Sequence, residues 1–152
     1  MVNVEFAGRV YPPFGPYRVG REKIREFARA VGAHLPQHHD LAAARAQGYG
    51  DLVAPVTFAV TIAQAAEAQL IEDPGADIDF SRVVHADERF EHVRPLVAGD
   101  DVVTVLTVVS IKERAGLAMV STRADIHESL PGDEPGELIS SVHSTLAVRL
   151  EA

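Results

Sequence analysis

Cysteine and tryptophan are both absent from the 152 residues of this chain. Without cysteine the protein can have no disulfide framework, no thiolate nucleophile and no thiolate metal site. Nothing in the composition requires an oxidising compartment, so we expect the protein in the cytoplasm. The first ten residues include Glu5 and Arg9 and lack a basic segment followed by an apolar run, so we expect no secretory signal.

Long apolar runs are also absent. A helix that crosses a bilayer needs about 20 consecutive apolar residues, and no stretch of this sequence approaches that length. Basic residues are in the minority, because 14 lysines and arginines stand against 22 aspartates and glutamates and leave a net charge of −8. A field of that sign repels phosphate backbones. We therefore expect neither membrane insertion nor a nucleic-acid partner.

The basic residues that are present gather near the start of the chain, with two glutamates interleaved. They are Arg18, Arg21, Lys23, Arg25 and Arg29, and the glutamates are Glu22 and Glu26. Alternating charge at this spacing is typical of a solvated helix face. A docking surface for an acidic carrier protein remains the alternative, because electrostatic complementarity guides such encounters.

The chain otherwise has the composition of a globular domain, with 47% hydrophobic and 24% charged residues. Its length suits a single domain, which we place over residues 1–152. Helical spacing of apolar residues predicts an amphipathic helix from Arg21 to Val31 that ends at Gly32. Asp40 is a suitable N-cap for a short alanine-rich helix that Gly48 would close.

The longest helical pattern covers residues 55–71 and is apolar around most of its circumference. Pro55 suits the first helical position, and Glu67 is the only charge before Glu72. Such a helix must be buried on most sides, and its many alanines allow a sheet to approach closely. Residues 11–20, by contrast, are interrupted by prolines and glycine, which predicts an extended or turning segment.

The second half of the sequence has the twofold spacing and the valine and threonine content of β-strands. Four strands are predicted, over residues 83–93, 102–111, 117–126 and 138–150. Turn residues separate them, so we expect antiparallel neighbours. One apolar helix followed by four strands has few compact solutions. The fold class is therefore α+β, with a curved antiparallel sheet wrapped around one long central helix.

The predicted strand over residues 102–111 is apolar on both faces. One face carries Val103, Val105, Val109 and Ile111, and the other carries Val102, Leu106 and Val108. One sheet and one main helix cannot cover both faces, and an uncovered apolar surface usually marks an interface. The pattern predicts a dimer.

Four stretches of sequence together form a specific pattern. They are residues 17–28 (Tyr-Arg-Val-Gly-Arg-Glu-Lys-Ile-Arg-Glu-Phe-Ala), 48–49 (Gly-Tyr), 52–58 (Leu-Val-Ala-Pro-Val-Thr-Phe) and 94–100 (Arg-Pro-Leu-Val-Ala-Gly-Asp). Here the chain resembles the MaoC-like hot-dog dehydratases and hydratases, particularly the actinobacterial (3R)-hydroxyacyl-carrier-protein dehydratase subunits of FAS1-like type. The resemblance implies a hot-dog fold, no cofactor, and reversible removal of water from an (R)-3-hydroxyacyl thioester of an acyl carrier protein or coenzyme A.

Catalytic members of that family carry an aspartate and a histidine in a Gly-Asp-x-Asn-Pro-x-His pattern, and the two side chains share the acid and base work. Residues 32–38 of this chain are Gly-Ala-His-Leu-Pro-Gln-His, so Ala33 replaces the aspartate and Leu35 the asparagine. A methyl group cannot exchange a proton, and leucine cannot fix the loop by hydrogen bonding. The resemblance therefore implies a degenerate motif in which His38 is the surviving catalytic residue.

The family also divides labour between paired subunits, one with the complete motif and the other shaping the acyl channel. This chain resembles the second kind, which implies a homodimer or a heterodimer with a motif-complete hot-dog subunit. Substrate contacts are implied for Tyr49 and for Val56 and Thr57, whose N–H groups follow Pro55. A self-sufficient homodimeric hydratase, a non-catalytic acyl-thioester-binding protein and a hot-dog thioesterase remain alternatives.

The histidines of the motif loop leave several interpretations open. His38 could be an exposed loop residue without a chemical role. His34, His39 and Asp40 could replace the missing acid, because histidine titrates near neutrality. The same residues could bind a metal, but Pro36 disfavours the helix that would align His34 with His38, so we expect no metal site.

Polar residues of the predicted strands have a simpler interpretation. His85, Asp87 and Arg94 lie in or near a strand, and we expect them to face solvent or to pair at the sheet edge. His127 and His143 are lone histidines within strand patterns, and the same expectation applies to them.

Overall fold

The computed structural model describes residues 1–150, which form three helices, three short 3-10 turns and one sheet. The helices are α1 (Arg21–Val31), α2 (Leu41–Ala46) and α3 (Ala59–Ile71). The strands are β1 (Phe14–Arg18), β2 (Val83–His92), β3 (Asp101–Arg114), β4 (Leu117–Leu130) and β5 (Glu134–Arg149). The 3-10 turns are Val4–Phe6, Pro36–His38 and Phe80–Arg82. Within residues 1–150, no helix has the length and apolar content that crossing a bilayer requires.

The core lies between α3 and the sheet, which is antiparallel throughout and has the strand order β1-β3-β4-β5-β2. The side of α3 that is buried consists mainly of small and aliphatic residues: Ala59, Ile62, Ala63, Ala66 and Leu70. Leu106, Ala124 and Val142 from the three central strands belong to the same buried cluster. The predicted α+β class, with one long apolar helix against an antiparallel sheet, is confirmed.

Helix α1 has the predicted bounds, and its end fixes where the motif loop begins. Gly32 has a φ of 71°, in the left-handed region that a residue without Cβ adopts at little cost. The N–H groups of Gly32 and Ala33 donate to carbonyls of the last helical turn, those of Arg29 and Ala28. The chain therefore leaves the helix sharply, and residues 33–40 form a separate loop.

Helix α3 begins at Ala59, four residues later than predicted. Pro55 starts a turn that closes when the Phe58 N–H donates to the Pro55 carbonyl over 2.9 Å. A side chain from the sheet explains the delay, because His92 donates from Nε2 to the Val56 carbonyl over 2.7 Å. The Val60 N–H, which would use that carbonyl in an α-helix, bonds to Thr57 instead.

The strand order corrects the predicted topology. Neighbouring strands were expected to follow one another in sequence, but β2 pairs with β5 and lies at the opposite side of the sheet from β1 and β3. Residues 93–100 therefore connect strands that are not neighbours. The segment expected to be merely extended contains a fifth strand, β1, in which Tyr17 pairs with Val102.

A bulge in β3 corrects the predicted two-faced apolar strand. The pairing with β4 shifts between Val108 and Ser110, so Val109 is the extra residue and is 51% exposed. The shift turns Ile111 to the core side, where it joins Val108 in the main cluster. Val103, on the other face, is only 1% exposed. The apolar surface on which the sequence-based dimer prediction rested is therefore largely covered within one chain.

Candidate functional site

Three segments that are distant in sequence meet beside the start of α3. The Val53 N–H donates to the Gln37 carbonyl over 3.0 Å, which joins residues 52–54 to the motif loop. On the other side the Ala54 N–H donates to Leu96 over 2.8 Å, and the Ala98 N–H donates to Leu52 over 2.9 Å. Two of the stretches that carry the family resemblance, residues 52–58 and 94–100, are thus brought together with the motif loop.

His38 lies at this meeting point and is buried, so it is not the exposed loop histidine of the alternative interpretation. Its Nδ1 is 2.6 Å from the Val53 carbonyl oxygen. A carbonyl can only accept, so Nδ1 carries a proton, and the neutral ring keeps its lone pair on Nε2. Within residues 1–150 no hydrogen-bond partner occupies Nε2. His38 is therefore oriented as a base, with its acceptor nitrogen available to a ligand.

His39 and Asp40 hold the loop in place. The His39 Nε2 lies 2.9 Å from the Ala33 carbonyl, and the His39 carbonyl accepts from Arg25 Nε over 3.0 Å. Asp40 accepts from the Ala43 N–H over 2.7 Å, as predicted for the N-cap of α2, which ends at Ala46 rather than just before Gly48. Both side chains are bonded to local backbone, and in those positions they support the loop.

The two degenerate motif positions offer no proton. Ala33 is half-buried, and its backbone N–H and carbonyl are both bonded, to Ala28 and to His39. Leu35 is 58% exposed, and His34 is exposed as well. No titratable side chain stands at the position of the family's aspartate.

The turn before α3 presents two free backbone donors. Neither the Val56 N–H nor the Thr57 N–H has an acceptor within residues 1–150, and both residues are exposed. They precede the positive end of the α3 dipole, where developing negative charge is stabilised. Val56 lies three positions after Val53, to which His38 is bonded, so at most about 11 Å of backbone separates them. A base and two donors therefore lie close together.

His92 is a site residue that the sequence pattern did not indicate. Its Nε2 donates to the Val56 carbonyl, and its Nδ1 accepts from the Ser140 hydroxyl over 2.9 Å. Both ring nitrogens are thus used, and the turn that carries the free donors is fixed to the sheet. A cavity of about 210 Å³ lies beside it, between residues 54–56 and 92–96. Only the long-range pairing of β2 reveals this role, so no local pattern could have found it.

Arg94 was expected to face solvent or to pair at the sheet edge, and the structure shows it ion-paired and only partly exposed. Its guanidinium makes a two-pronged contact with Asp100, at 2.9 and 3.1 Å, and a third contact with Glu128 at 3.2 Å. The hydrogen bond to Asp100 raises the pKa of Arg94 above its ordinary value. Asp100 also accepts from the Val97 N–H over 2.9 Å. The pair therefore shapes residues 94–100, which pack against the site.

Two arginines of the predicted basic face contact the chain on either side of α2. Arg25 bonds the His39 carbonyl, as described above. Arg21 makes a two-pronged contact with Asp51, at 2.9 and 2.8 Å. The hydrogen bond from Arg21 lowers the pKa of Asp51. These contacts join α1 to both ends of the segment between the motif loop and the turn before α3.

The Arg21–Asp51 pair gives an expected pH dependence. Because the pKa of folded Asp51 lies below its usual value of about 4, the pair stabilises the fold above that value and the stabilisation disappears as pH falls through the lowered pKa. Asp51→Asn should therefore lower the free energy of unfolding by about 0.5–1 kcal/mol at neutral pH and have no effect in strong acid. Urea denaturation measures both.

Asp101→Asn is the matched control for that substitution. Asp101 contacts Arg18 through one bond of 3.1 Å, and both side chains are more exposed than Asp51. Its loss should therefore have the smaller effect. Equal losses for the two variants, or a loss for Asp51→Asn that persists in acid, would contradict the expectation.

The remaining predicted residues lie elsewhere. Tyr49 is half-buried in the turn after α2, where its N–H donates to Ala44. Asp87 is exposed on β2, an edge strand, as expected, whereas His85 from the same strand lies beside the buried Glu67. His127 bonds the Gly136 carbonyl through Nδ1, and His143 lies 3.6 Å from Glu91.

Comparison with known proteins identifies the family of the chain. The family model of the FAS1-like dehydratase domain region matches residues 5–129, which include the motif loop, the turn before α3 and residues 94–100. The chain belongs to the FAS1-like dehydratase family. Within that family it is 45% identical over 148 residues to a UPF0336 protein of Streptomyces griseus, covering 97% of this chain and 95% of the relative.

Solved structures show the same fold as this FAS1-like dehydratase chain. A chain of the C-terminally truncated HadBC (3R-hydroxyacyl-ACP dehydratase) complex from Mycobacterium tuberculosis superimposes with a TM-score of 0.80 and 31% identity, covering 93% of this chain and 96% of the other. A MaoC-like dehydratase superimposes with a TM-score of 0.82 and 34% identity over 95% of this chain, which spans 42% of that longer protein. The predicted hot-dog fold is confirmed.

Proposed function

We propose that this chain is a subunit of a (3R)-hydroxyacyl thioester dehydratase, in which it contributes the acyl-binding channel while a motif-complete partner performs most of the catalysis. The proposal rests on the difference between the two catalytic positions of the motif, residues 38 and 33. His38 is buried, bonded through Nδ1 and open at Nε2, whereas Ala33 offers no acid. His38 is positioned so that it could act as a base, and the chain has no acid at position 33.

The chemistry explains why that asymmetry matters. Dehydration breaks the C2–H and C3–O bonds of the 3-hydroxyacyl thioester: a base takes the C2 proton, and the hydroxyl leaves as water after an acid protonates it. Negative charge develops on the thioester oxygen, and the free N–H groups of Val56 and Thr57 are suitable donors for it. Nε2 of His38 can accept the C2 proton. The other proton needs a second group, which a partner's complete motif would provide in its own site.

A similar protein supports the proposed substrate class. The M. tuberculosis complex to which the chain is similar is a 3R-hydroxyacyl-ACP dehydratase, which supports a thioester of an acyl carrier protein or of coenzyme A. We assign substrate contacts to Tyr49, Val56 and Thr57. The lack of cysteine suits a reducing compartment, so we place this role in cytoplasmic fatty-acid metabolism.

We further propose that subunits associate through β2. Among residues 1–150 this strand pairs only with β5, and no other described strand pairs with its outer edge. Three large apolar side chains on or beside it are exposed: Phe80, Val84 and Val93. Unpaired backbone beside exposed apolar residues favours a second strand from another chain. The similar M. tuberculosis protein is itself a complex.

Assembly and activity can be tested together. The chain alone is expected to sediment as a homodimer and to hydrate a crotonyl thioester about 10²–10⁴-fold more slowly than its mixture with a motif-complete hot-dog subunit, because half of the acid/base pair is absent. The mixture should sediment as a mixed dimer. Sedimentation velocity and initial rates on the same samples measure both.

Two controls separate the alternatives. Val84→Asp should weaken the association, whereas Val109→Asp, at an exposed valine of the β3 bulge, should leave it unchanged. A turnover of the chain alone equal to that of the mixture would favour the self-sufficient hydratase. Binding of acyl thioesters with no rate in either sample would favour the non-catalytic binding protein. Either outcome would overturn the subunit proposal.

A further inference from the structure

A second cavity lies between α3, the Phe80–Arg82 turn and the start of β2, apart from the motif loop. Its volume is about 550 Å³. Its deepest residues are Glu67 and Leu146, which are 1% and 2% exposed. The more exposed residues around it are Gln64, Glu72, Phe80 and His85, and its apolar wall is completed by Ala68, Ile71 and Val83.

Glu67 is a buried carboxylate without a full set of donors. Its Oε1 accepts from the Thr122 hydroxyl over 2.6 Å. Its Oε2 makes no hydrogen bond within residues 1–150, and His85 Nε2 lies 3.7 Å away. A buried carboxylate is costly unless hydrogen bonds or a positive charge compensate it. Glu67 therefore leaves one oxygen in need of a donor at the floor of the cavity.

Glu88, which lies near Glu67, also has one carboxylate oxygen that is hydrogen-bonded and one that is not. Its Oε1 accepts from the Ser144 hydroxyl over 3.0 Å, and its buried Oε2 has no hydrogen-bond partner among the described residues. That oxygen is 3.6 Å from the same His85 Nε2. Burial raises the pKa of Glu88 above its ordinary value. Two carboxylates thus converge on one imidazole.

His85 cannot satisfy both of them. The Gln64 amide nitrogen lies 3.3 Å from His85 Nδ1, so in the neutral ring Nδ1 accepts and the only ring proton is on Nε2. That single N–H is more than 3.5 Å from either carboxylate oxygen, beyond hydrogen-bond distance. None of the nine residues that line the cavity is lysine or arginine. The cluster has more acceptors than donors and more negative than positive charge.

We propose that this cavity is a binding site for a protonated amine carried on an apolar body. The ammonium group would donate to Glu67 Oε2, the nearby carboxylate of Glu88 would add a second negative charge behind the cavity wall, and the apolar body would pack against Ile71, Val83 and Leu146. An ammonium group supplies three donors and a positive charge, which together match what the two carboxylates lack.

Other ligand classes fit the cavity less well. A hydroxyl supplies one donor and no charge, and a carboxylate would add a third negative charge in a chain whose net charge is −8. A metal ion is not favoured either, because among residues 1–150 no three histidine, aspartate or glutamate side chains are arranged to hold one. A protonated amine is therefore the ligand class that matches both the negative charge of the carboxylates and their need for hydrogen-bond donors.

The test compares three probes of equal chain length, n-octylamine, n-octanol and octanoate, by calorimetric titration of the full chain at neutral pH. We expect octylamine to bind with one-to-one stoichiometry, octanol to bind at least about tenfold more weakly, and octanoate not to bind. The imidazole proton signals of His85 in the NMR spectrum should shift on addition of octylamine, which locates the ligand.

Variants decide whether the two carboxylates are responsible. Glu67→Gln and Glu88→Gln should each weaken octylamine at least about tenfold. Glu91→Gln is the matched control, because Glu91 is an exposed carboxylate of the same strand as Glu88 that pairs with Arg89 and His143 instead of lying beside His85, and it should have no effect. If Glu67→Gln fails to fold, Glu88→Gln alone decides, since Glu88 is partly exposed.

Three outcomes would overturn the proposal: no octylamine binding at millimolar concentration, equal affinity for octanol, or affinity unchanged in Glu88→Gln. None of them bears on the dehydratase proposal, which depends on His38 and the partner. The two can therefore fail separately.

Discussion

Replacing Ala33 by aspartate and Leu35 by asparagine is expected to raise the rate at which the chain alone hydrates a crotonyl thioester by about 10²–10⁴-fold. The substitutions restore the second member of the acid/base pair and the residue that holds it. The measurement is the initial rate of loss of the enoyl thioester absorbance, with the chain free of any partner subunit.

The structure favours this repair because the backbone at position 33 is already fixed. The Ala33 N–H donates to Ala28, and its carbonyl accepts from His39, so a new side chain would start from a defined position. Leu35 is more than half exposed, so replacing it removes little buried apolar surface. The base needs no repair, since Val53 already fixes the His38 ring with Nε2 free.

Two further variants test whether the gain arises from that pair. His38→Ala in the repaired chain should abolish the gain, because the acid would again lack its base. His34→Ala, at the exposed histidine of the same loop, should leave the gain intact. A repaired chain that stays as slow as the original would mean that Ala33 does not face the reacting carbon, and the proposed alignment of the motif would be wrong.

How far the sequence predicts the structure depends on how local each contact is. The bounds of α1 follow from its own apolar spacing and from Gly32, both encoded within the helix and its first flanking residue. Asp40 caps α2 for the same reason. The start of α3 was wrong because His92, which takes the Val56 carbonyl, lies 36 residues further along the chain. A local pattern contains no information about that contact.

The strands show the same limit. Their number in the second half and their approximate positions follow from alternation, but the pairing of β2 with β5 instead of β3 is set by the whole sheet. The bulge at Val109 then moves Ile111 to the opposite face, which alternation alone cannot show. Glu67 was noticed as a lone charge in an apolar helix, yet its hydrogen-bond partner Thr122 is 55 residues away.

At the candidate site, the residue types came from the family pattern and the chemistry came from the contacts. The motif identified His38 as a candidate base and showed that alanine replaces the family's aspartate at position 33. It could not show that His38 is buried, which tautomer it adopts, or that His92 fixes the turn carrying the free N–H groups. Those properties arise where three distant segments meet.

Phe58 joins the central helix to the rest of the site. It is completely buried and ends the turn that begins at Pro55. Its ring makes an edge-to-face contact with Phe27 of α1, with centroids 5.4 Å apart and planes at 82°. Its carbonyl accepts from both the N–H and the hydroxyl of Thr61 in the first turn of α3. One residue thus connects α1 through its side chain and the donor turn and α3 through its backbone.

Phe58→Ala is accordingly expected to lower the free energy of unfolding by about 3–5 kcal/mol, the range for removal of a fully buried aromatic ring that leaves a cavity. Val109→Ala is the control: Val109 is 51% exposed on the β3 bulge and lies outside the proposed β2 interface, so its truncation should change the value by no more than about 0.5 kcal/mol. Urea denaturation of the three proteins measures both free energies of unfolding.

Because Phe58 directly follows the free N–H groups of Val56 and Thr57, the Phe58 variant should also lose affinity for acyl thioesters under conditions where it remains folded. A variant that keeps full stability would show that the ring is not part of the packed core.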